Sequence, residues 1–403
     1  MNYTKEEVIQ FIQEEDVKFI RLAFCDVYGT QKNISIMAGE TERAFRYGIA
    51  IDAWSVPGFG GHVKSDLFLH PDPSTLTILP WRPEHGRVVR MFCDITYPDG
   101  TPFLCDSRHI LKKAVLAAKE ENCEFFFGPE MEFYLFNRDE QGNPTKEPYD
   151  QTGYMDIAPD DKGENVRREI CLTLEKMGII PESSHHEAGP GQNEIDFRYA
   201  APVTAADNAV TFCAVVRTIA NKNGLFADFS PKPLTGKPGN GMHINFSVKS
   251  ACGNDALNNA IAGILKHIGE MTAFLNPVHE SYSRLGKDQA PSYISWSEEN
   301  RSQLIRIPAA LGEFKRAELR SPDPATNPYI AFALIIYAAL DGIRNKLPLP
   351  QAIDANLFTA SDSLLKQIEK LPATKEEASD LARKGSFIRS CLPQTMIDAY
   401  CRR

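Results

Sequence analysis

Polar and apolar positions alternate at every second residue through Gly128-Pro129-Glu130-Met131-Glu132-Phe133-Tyr134-Leu135. That period predicts a strand, with Glu130, Glu132 and Tyr134 on one face and Met131, Phe133 and Leu135 turned to a core. The stretch follows Phe125-Phe126-Phe127 and reads as a buried strand entered through Gly128-Pro129. The same alternation recurs in Glu194-Ile195-Asp196-Phe197-Arg198-Tyr199, where Glu194, Asp196 and Arg198 oppose Ile195, Phe197 and Tyr199. In Met242-His243-Ile244-Asn245-Phe246-Ser247-Val248, the residues His243, Asn245 and Ser247 share the polar face. Further strands are predicted over Val17–Phe24, Lys32–Ile36 and Arg87–Thr96, with turns at Asp26–Gly29 and Pro98–Pro102.

Helical spacing is predicted over Thr4–Glu15 (capped by Thr4), residues 39–48, and Asp106 to about Glu121 (capped by Asp106). It recurs over Asn165–Met177, ended by Gly178, and Thr204–Asn223, with Thr204 and Asp207 as a cap pair and Gly224 at the end. Asp255–Leu275 is stopped by Pro277. Pro328 to about Lys346 is the most apolar helix, read as packed on both sides. Short amphipathic helices follow from about Ala360. Ala50–Pro83 is rich in Gly, Pro and Asp and is assigned no element, and Arg138–Asp160 reads as a polar loop. The division expected is a small β-rich domain, residues 1–104, and a body of strands and helices, residues 105–403.

Composition narrows the possibilities. A chain of 403 residues with 43% hydrophobic and 24% charged content is ordinary for a globular protein, and exceeds what one core usually organises. The net charge of −9, with no concentrated basic patch, argues against nucleic acid and anionic membrane as partners. Tyr329–Leu340 is too short an apolar run to span a bilayer. The opening Met1–Glu7 lacks the basic and apolar blocks of a signal peptide. Nine scattered cysteines without a Cys-x-x-Cys read as reduced thiols of a cytoplasmic protein, mostly filling the core.

A lone Glu-x-Glu is ordinarily a solvated strand face. The rest of the chain changes that reading. In His185-His186-Glu187-Ala188-Gly189-Pro190-Gly191-Gln192-Asn193-Glu194, the Gly-Pro-Gly turn makes a hairpin that brings Glu187 to Glu194. Gly239-Asn240-Gly241 leads into the His243 strand and lets a ligand approach the backbone. Arg316, Glu318 and Arg320 alternate on one strand face, and Arg301 and Arg306 precede them. Four arginines about one glutamate suit a polyanion such as a triphosphate together with a carboxylate substrate. Glu130, Glu132, Glu187, Glu194, Glu318 and His243 form a carboxylate-dominated donor set, which selects Mg²⁺ or Mn²⁺ over zinc. Metals and arginines are the parts of phosphoryl transfer, and no Walker loop or protein-kinase motif set is present. The residues therefore describe an ATP-using enzyme with a sheet-lined, two-metal funnel.

Five blocks carry a resemblance: Gly-Pro-Glu-Met-Glu-Phe, His-His-Glu with Gly-Gln-Asn-Glu, Asn-Gly-Met-His, Asn-Arg-Ser-x-x-x-Arg-Ile-Pro, and Arg-Ala-Glu-Leu-Arg-Ser-Pro-Asp-Pro-x-x-Asn-Pro-Tyr. In order and extent the chain resembles the bacterial type I glutamine synthetase superfamily. The resemblance implies an α+β fold, with an N-terminal β-grasp domain and a catalytic domain on a curved antiparallel sheet surrounded by helices. It implies a first metal held by Glu132, Glu187 and Glu194, and a second, nucleotide-bridging metal held by Glu130, His243 and Glu318. Two or three Mg²⁺ or Mn²⁺ ions and ATP are the implied cofactors. Arg301, Arg306 and Arg316 would grip the transferring phosphate, while Asn245 and Ser247 lie at the nucleotide strand. Arg284, Arg320, Arg301 and the Gly239 backbone would orient glutamate. Asp52, contributed by a neighbouring subunit, would meet ammonium, so a homo-oligomer is implied, a dodecamer of two stacked hexameric rings.

The chain departs from the family at four places. Gln289 stands where the family's flap glutamate helps bind and deprotonate ammonium, in a segment one residue shorter. Glutamine carries no charge and is no useful base, and the neighbouring Asp288 is a possible substitute. Trp54, near Asp52, reads equally as a stacking wall or as core. The adenylylation segment appears as Asn356-Leu357-Phe358, without the tyrosine. Asn245 replaces a frequent histidine, and Glu313 stands where some members have lysine. Three functions therefore stay open: glutamate–ammonia ligation, ligation of an organic amine such as methylamine, ethylamine or a polyamine, and a non-catalytic ring-forming scaffold.

Overall fold

Residues 3–60, 66–250, 256–309 and 315–402 are described by the computed structural model of the chain. Near the N-terminus, β1 (Val17–Cys25) and β2 (Gln31–Met37) form a hairpin about the Asp26–Gly29 turn. The Asp26 carboxylate closes that turn by accepting from the Tyr28 and Thr30 amides at 3.0 and 2.9 Å. Then come α2 (Thr41–Tyr47), β3 (Ile49–Asp52), β4 (Asp66–Pro71), β5 (Thr77–Ile78) and β6 (Arg87–Thr96). The six strands order as β2-β1-β6-β4-β3, with β5 on β6, and β6 returns parallel to β1. Helix α1 (Lys5–Glu14), held by a Thr4/Glu7 capping box, packs on β1. Strands β4 and β5 lie inside the Gly/Pro-rich segment to which the sequence assigns no element, and β3 runs into its start. They are short, and β4 buries Leu67, Leu69 and Pro71 on one face.

The larger sheet has nine strands among the described residues. They are β7 (Cys123–Arg138), β8 (Pro144–Pro148), β9 (Pro181–His186), β10 (Gln192–Phe197), β11 (Leu225–Asp228), β12 (Met242–Ser250), β13 (Trp296–Glu298), β14 (Ile305–Ile307) and β15 (Ala317–Leu319). Their order is β13-β14-β15-β12-β7-β10-β9, with β8 and β11 also on β7. The sheet is antiparallel except for β13 and β14, a parallel edge pair of three residues each. Strand β7 begins at Cys123, so Gly128-Pro129 lies within it rather than at its entry. Pro129 is tolerated because Phe127 exchanges both backbone bonds with Ala200 on that side, and β10 pairs only up to Asp196 opposite Glu130. The nitrogen of Pro129 therefore faces a gap in the ladder. Strand β10 ends at Phe197, so Tyr199 leaves the back face. It is exposed and packs edge-on against Phe126.

Helices α3 (Ser107–Glu120), α4 (Glu164–Lys176), α5 (Pro202–Lys222), α6 (Ala256–Leu275), α7 (His279–Arg284) and α8 (Pro328–Arg344) cover this body. Helices α9 (Asp362–Leu365), α10 (Lys375–Lys384), α11 (Ser386–Cys391) and α12 (Gln394–Arg402) complete it. Helix α8 is buried except at Tyr337, Asp341 and Arg344, and Phe332 stacks on Phe127 at 4.4 Å. It crosses α6 where Gly263 meets Gly342. A Cβ on either would strike a carbonyl of the other helix. Helix α5 is long and apolar enough by length and composition to cross a membrane, but most of it is buried, with Phe212 against Phe133 and Phe197.

The expected Thr204/Asp207 cap is not formed. Helix α5 starts at Pro202 behind Ala201, without a side-chain cap. Asp207 is instead drawn into a buried clamp between the domains. Arg108 donates to both Asp207 oxygens at 3.1 Å, to Asp94 at 2.9 Å and to Asp72 at 2.9 Å. Tyr329 donates to Asp207 at 2.6 Å.

Candidate active site

The strand registers align one polar row across five strands. Glu132 lies opposite Glu194, and Glu130 opposite Asp196, on β7 and β10. On its other edge Glu130 lies opposite His243 of β12. Asn245 lies opposite Glu318 of β15, which in turn faces Arg306 of β14. Like charges placed directly across strands destabilise a sheet. Here two such pairs occur side by side on a half-buried face.

Glu130, His243 and Glu318 each present a ligand atom within 4.8 Å of the others. The His243 Nδ1 lies 3.6 Å from Glu130 and 3.5 Å from Glu318. Burial, and then the Arg320 charge, pulls the His243 pKa down to about 3, so the imidazole is neutral with a lone pair to offer. Asn245 donates to Glu130 at 2.6 Å and accepts from Arg316 at 2.9 Å. Glu318 receives Arg306 at 2.9 Å and Arg320 at 3.1 Å. Two of the four expected arginines therefore touch Glu318. Arg316 reaches it only through the neighbouring Asn245, and Arg301 is exposed, near enough to Tyr154 for its charge to be felt there.

Glu187 and Glu194 group with His185 within 4.8 Å, and His185 Nε2 lies 3.0 Å from Glu187. The Glu132 Oε2 accepts from the Gly241 amide at 2.8 Å and from Gln192 at 3.1 Å. Burial, and then the Glu187 charge, raises the Glu132 pKa to about 7. Burial and Glu132 push Glu194 well up, and burial and Glu130 lift Asp196 to about 6. Buried carboxylates that raise one another's pKa are what a divalent cation would reverse, so the donor set fits hard cations.

The loop ahead of β12 is pinned from both sides. Asn240 donates to the Asp228 and Ser230 carbonyls at 3.2 and 2.9 Å, and Gln192 donates to Gly239 O at 3.1 Å. A Cβ at Gly239 would meet the Pro231 carbonyl and the Arg284 side chain. Arg284 is buried and donates to Ser321 O at 2.8 Å and Arg320 O at 3.3 Å. Ser247 is half-buried farther along β12.

Gln289 is exposed with a left-handed backbone, φ 71°, and its carbonyl accepts from Arg320 at 3.3 Å. Asp288 is held by Lys232 at 2.6 Å. Asp52 sits at the end of edge strand β3, where its carboxylate accepts from the Trp54 amide at 3.0 Å and the Ser55 hydroxyl at 2.6 Å. Trp54 is 64% exposed, which excludes the core-filling reading within this chain. Leu357 is buried while Phe358 is exposed, and Glu313 lies outside the described residues.

Sequence reasoning missed His185, Asp196 and Gln192 as members of the row. Asp196 was visible by alternation with Glu194. Gln192 was visible in the same way, two residues before Glu194, and His185 only as a polar neighbour of Glu187. It also missed the support beneath the hairpin. Buried His186 bridges Asp150 at 2.8 Å and the Glu187 carbonyl at 2.6 Å, and Asp150 accepts from the Gly191 amide at 2.9 Å.

A β-grasp sheet joined to a larger sheet that carries its chemistry across one face defines a two-domain α+β enzyme class. A family model described as the glutamine synthetase catalytic domain matches residues 104–403, and one described as the glutamine synthetase β-grasp domain matches residues 16–98. The chain belongs to the glutamine synthetase family. It is 44% identical over 413 residues to a glutamine synthetase of Clostridium saccharobutylicum, covering 99% of this chain and 93% of that one. It is 46% identical over 413 residues to a glutamine synthetase of Methanosarcina mazei, covering 98% and 92%. A solved GmaS–ADP complex superposes with a TM-score of 0.89 at 26% identity, covering 100% of this chain and 94% of that one.

Proposed function

We propose that this chain is a glutamine synthetase, an ATP-dependent ligase that joins ammonia to the γ-carboxylate of L-glutamate. The observation that carries this reading is near-full-length identity of 44% and 46% to proteins of that name. In this reading Glu130, His243 and Glu318 hold one Mg²⁺ or Mn²⁺ ion. Glu132, Glu187 and Glu194 hold another, with His185 within reach of the second set. When bound, the ions neutralise phosphate charge and fix the phosphate oxygens. Arg306 and Arg316 line the phosphate path, and Arg301 stands at its exposed lip. Arg284, Arg320 and the Gly239 backbone orient glutamate, while Asn245 and Ser247 border the nucleotide. A γ-carboxylate oxygen attacks the γ-phosphorus, ADP leaves, and γ-glutamyl phosphate forms. The ammonia nitrogen then attacks the γ-carbonyl carbon and inorganic phosphate leaves. The surplus proton passes to Asp52 of a neighbouring copy or to water. The chain's residues act by position and charge in the first step rather than by acid–base transfer.

The exposed edge-strand position of Asp52 and Trp54 supports their use by a neighbouring copy; the ring, two hexamers stacked as a dodecamer, is taken from the family resemblance. A second reading takes an organic amine as acceptor. It is favoured by the uncharged Gln289 and by the structural likeness to GmaS, a γ-glutamylmethylamide synthetase. Phosphate release from ATP, Mg²⁺ and glutamate, with ammonium or methylamine at equal concentration, decides between them. Ammonium is expected to win. A preference for methylamine of tenfold or more, about 1.4 kcal/mol, would replace the first reading with the second, and silence with every amine would defeat both.

A further inference from the structure

A cavity of about 1060 Å³ opens between the N-terminal sheet and α5, and no member of the acidic row lines it. Its walls show the converse charge pattern. Arg21, Arg82, Arg90 and Arg217 all line it, and none of them forms an ion pair among the described residues. Arg21 and Arg90 are direct register partners on the parallel strands β1 and β6, so their side chains leave one sheet face side by side.

The arginines are graded in depth. Arg90 is only 7% exposed, at the floor. Its Nη1 donates to Thr211 at 2.7 Å, its guanidinium stacks over Phe92 at 4.0 Å, and its Nε has no partner. Arg21 is half-buried, and its Nε is likewise buried without a partner. Burial and the Arg82 charge both work against the Arg21 cation. Arg82 and Arg217 stand at the exposed rim. The lining carboxylates do not compensate. Asp228 is taken by Lys146 at 2.8 Å, and Glu280 is exposed on α7. Desolvated guanidiniums are stable when they face a carboxylate or phosphate in paired geometry; the Asp207 charge favours the Arg90 cation, but no carboxylate forms an ion pair with Arg21 or Arg90 among the described residues.

We propose that this interdomain cavity binds a small oxyanion, a carboxylate- or phosphate-bearing metabolite, seated between Arg21 and Arg90. Trp81 lines the same cavity and reports on it. In a Trp54→Phe/Trp296→Phe background, Trp81 is the remaining tryptophan. Its fluorescence is titrated with succinate and with inorganic phosphate, in saturating Mg²⁺ and ADP to occupy the acidic row. A saturable change with at least one probe is expected, and the stronger probe tells carboxylate from phosphate. Arg21→Gln is expected to weaken the response about tenfold, the loss of one paired contact to a charged group. Arg21→Glu places a carboxylate beside Arg90 and Arg82. It is expected to abolish the response and to raise the melting temperature of the anion-free protein. An equal response in all three proteins, or no response by fluorescence or melting with either probe, overturns the proposal.

Discussion

Two clusters of buried charge, the Arg108 clamp between the domains and the acidic row on the catalytic sheet, follow opposite rules. In the clamp, burial works against the Arg108 charge, and Asp207 overcomes it and holds the cation. Arg108 lowers the Asp72 pKa despite burial. Every charge there has a partner within 3.1 Å. In the row, Glu132, Glu194 and Asp196 are raised, because burial opposes ionisation, as do the charges of Glu187 on Glu132, Glu132 on Glu194 and Glu130 on Asp196. The clamp is satisfied by the chain and serves the fold. Glu132, Glu194 and Asp196 have no ion-pair partner among the described residues, and that difference, rather than charge density, marks a site.

The largest expected effect breaks the clamp. Arg108→Met leaves the buried Asp207 without its ion-pair partner and Asp94 and Asp72 with Lys112 alone, and should cost about 3–5 kcal/mol of stability, read by denaturant unfolding. The row should respond in the opposite sense. Glu194→Gln removes one of several repelling charges, so the metal-free protein should melt higher at pH 8. Glutamate-dependent phosphate release should nonetheless fall on the order of 10³-fold, about 4 kcal/mol. A fall in both stability and activity would mean that the row is structural.

The pH dependence separates the clusters further. Carboxylates with raised pKa values keep protons that the unfolded chain releases, so the row lowers stability as pH rises from the ordinary glutamate value of 4.5 to about 7, where Glu132 titrates. Mg²⁺ should cancel that loss, and the slope should be shallower in Glu194→Gln; melting temperatures across this range, with EDTA and with Mg²⁺, check both. Asp72 behaves oppositely, because its depressed pKa contributes stability at neutral pH that is lost on acidification below its unfolded value. Smaller effects complete the series. Tyr329→Phe removes one bond to the charged Asp207 and should cost about 1.5–3 kcal/mol without changing the amine acceptor. Gln289→Glu should shift the ratio of ammonium to methylamine turnover toward ammonium by about tenfold, roughly 1.4 kcal/mol, and leave the melting temperature within a degree or so.

Alternation along the chain determined the faces of β7, β10 and β12, because a strand's period of two is written locally in residue order. Helix caps at Thr4 and Asp106 were equally local. Residue types alone also determined the kind of chemistry, since a donor set of five glutamates and a histidine beside arginines has few uses. Only the tertiary structure decided register. It set Glu132 against Glu194 and Glu130 against both Asp196 and His243, and it brought His185 of the neighbouring strand opposite Glu194. It also reassigned Asp207 from a helix cap to the Arg108 clamp, and left Arg21 and Arg90 side by side without an ion-pair partner among the described residues. Those outcomes depend on which strands become neighbours across long stretches of chain. Pairing of that kind is selected by the energy of the packed whole and leaves no local trace in the order of residues.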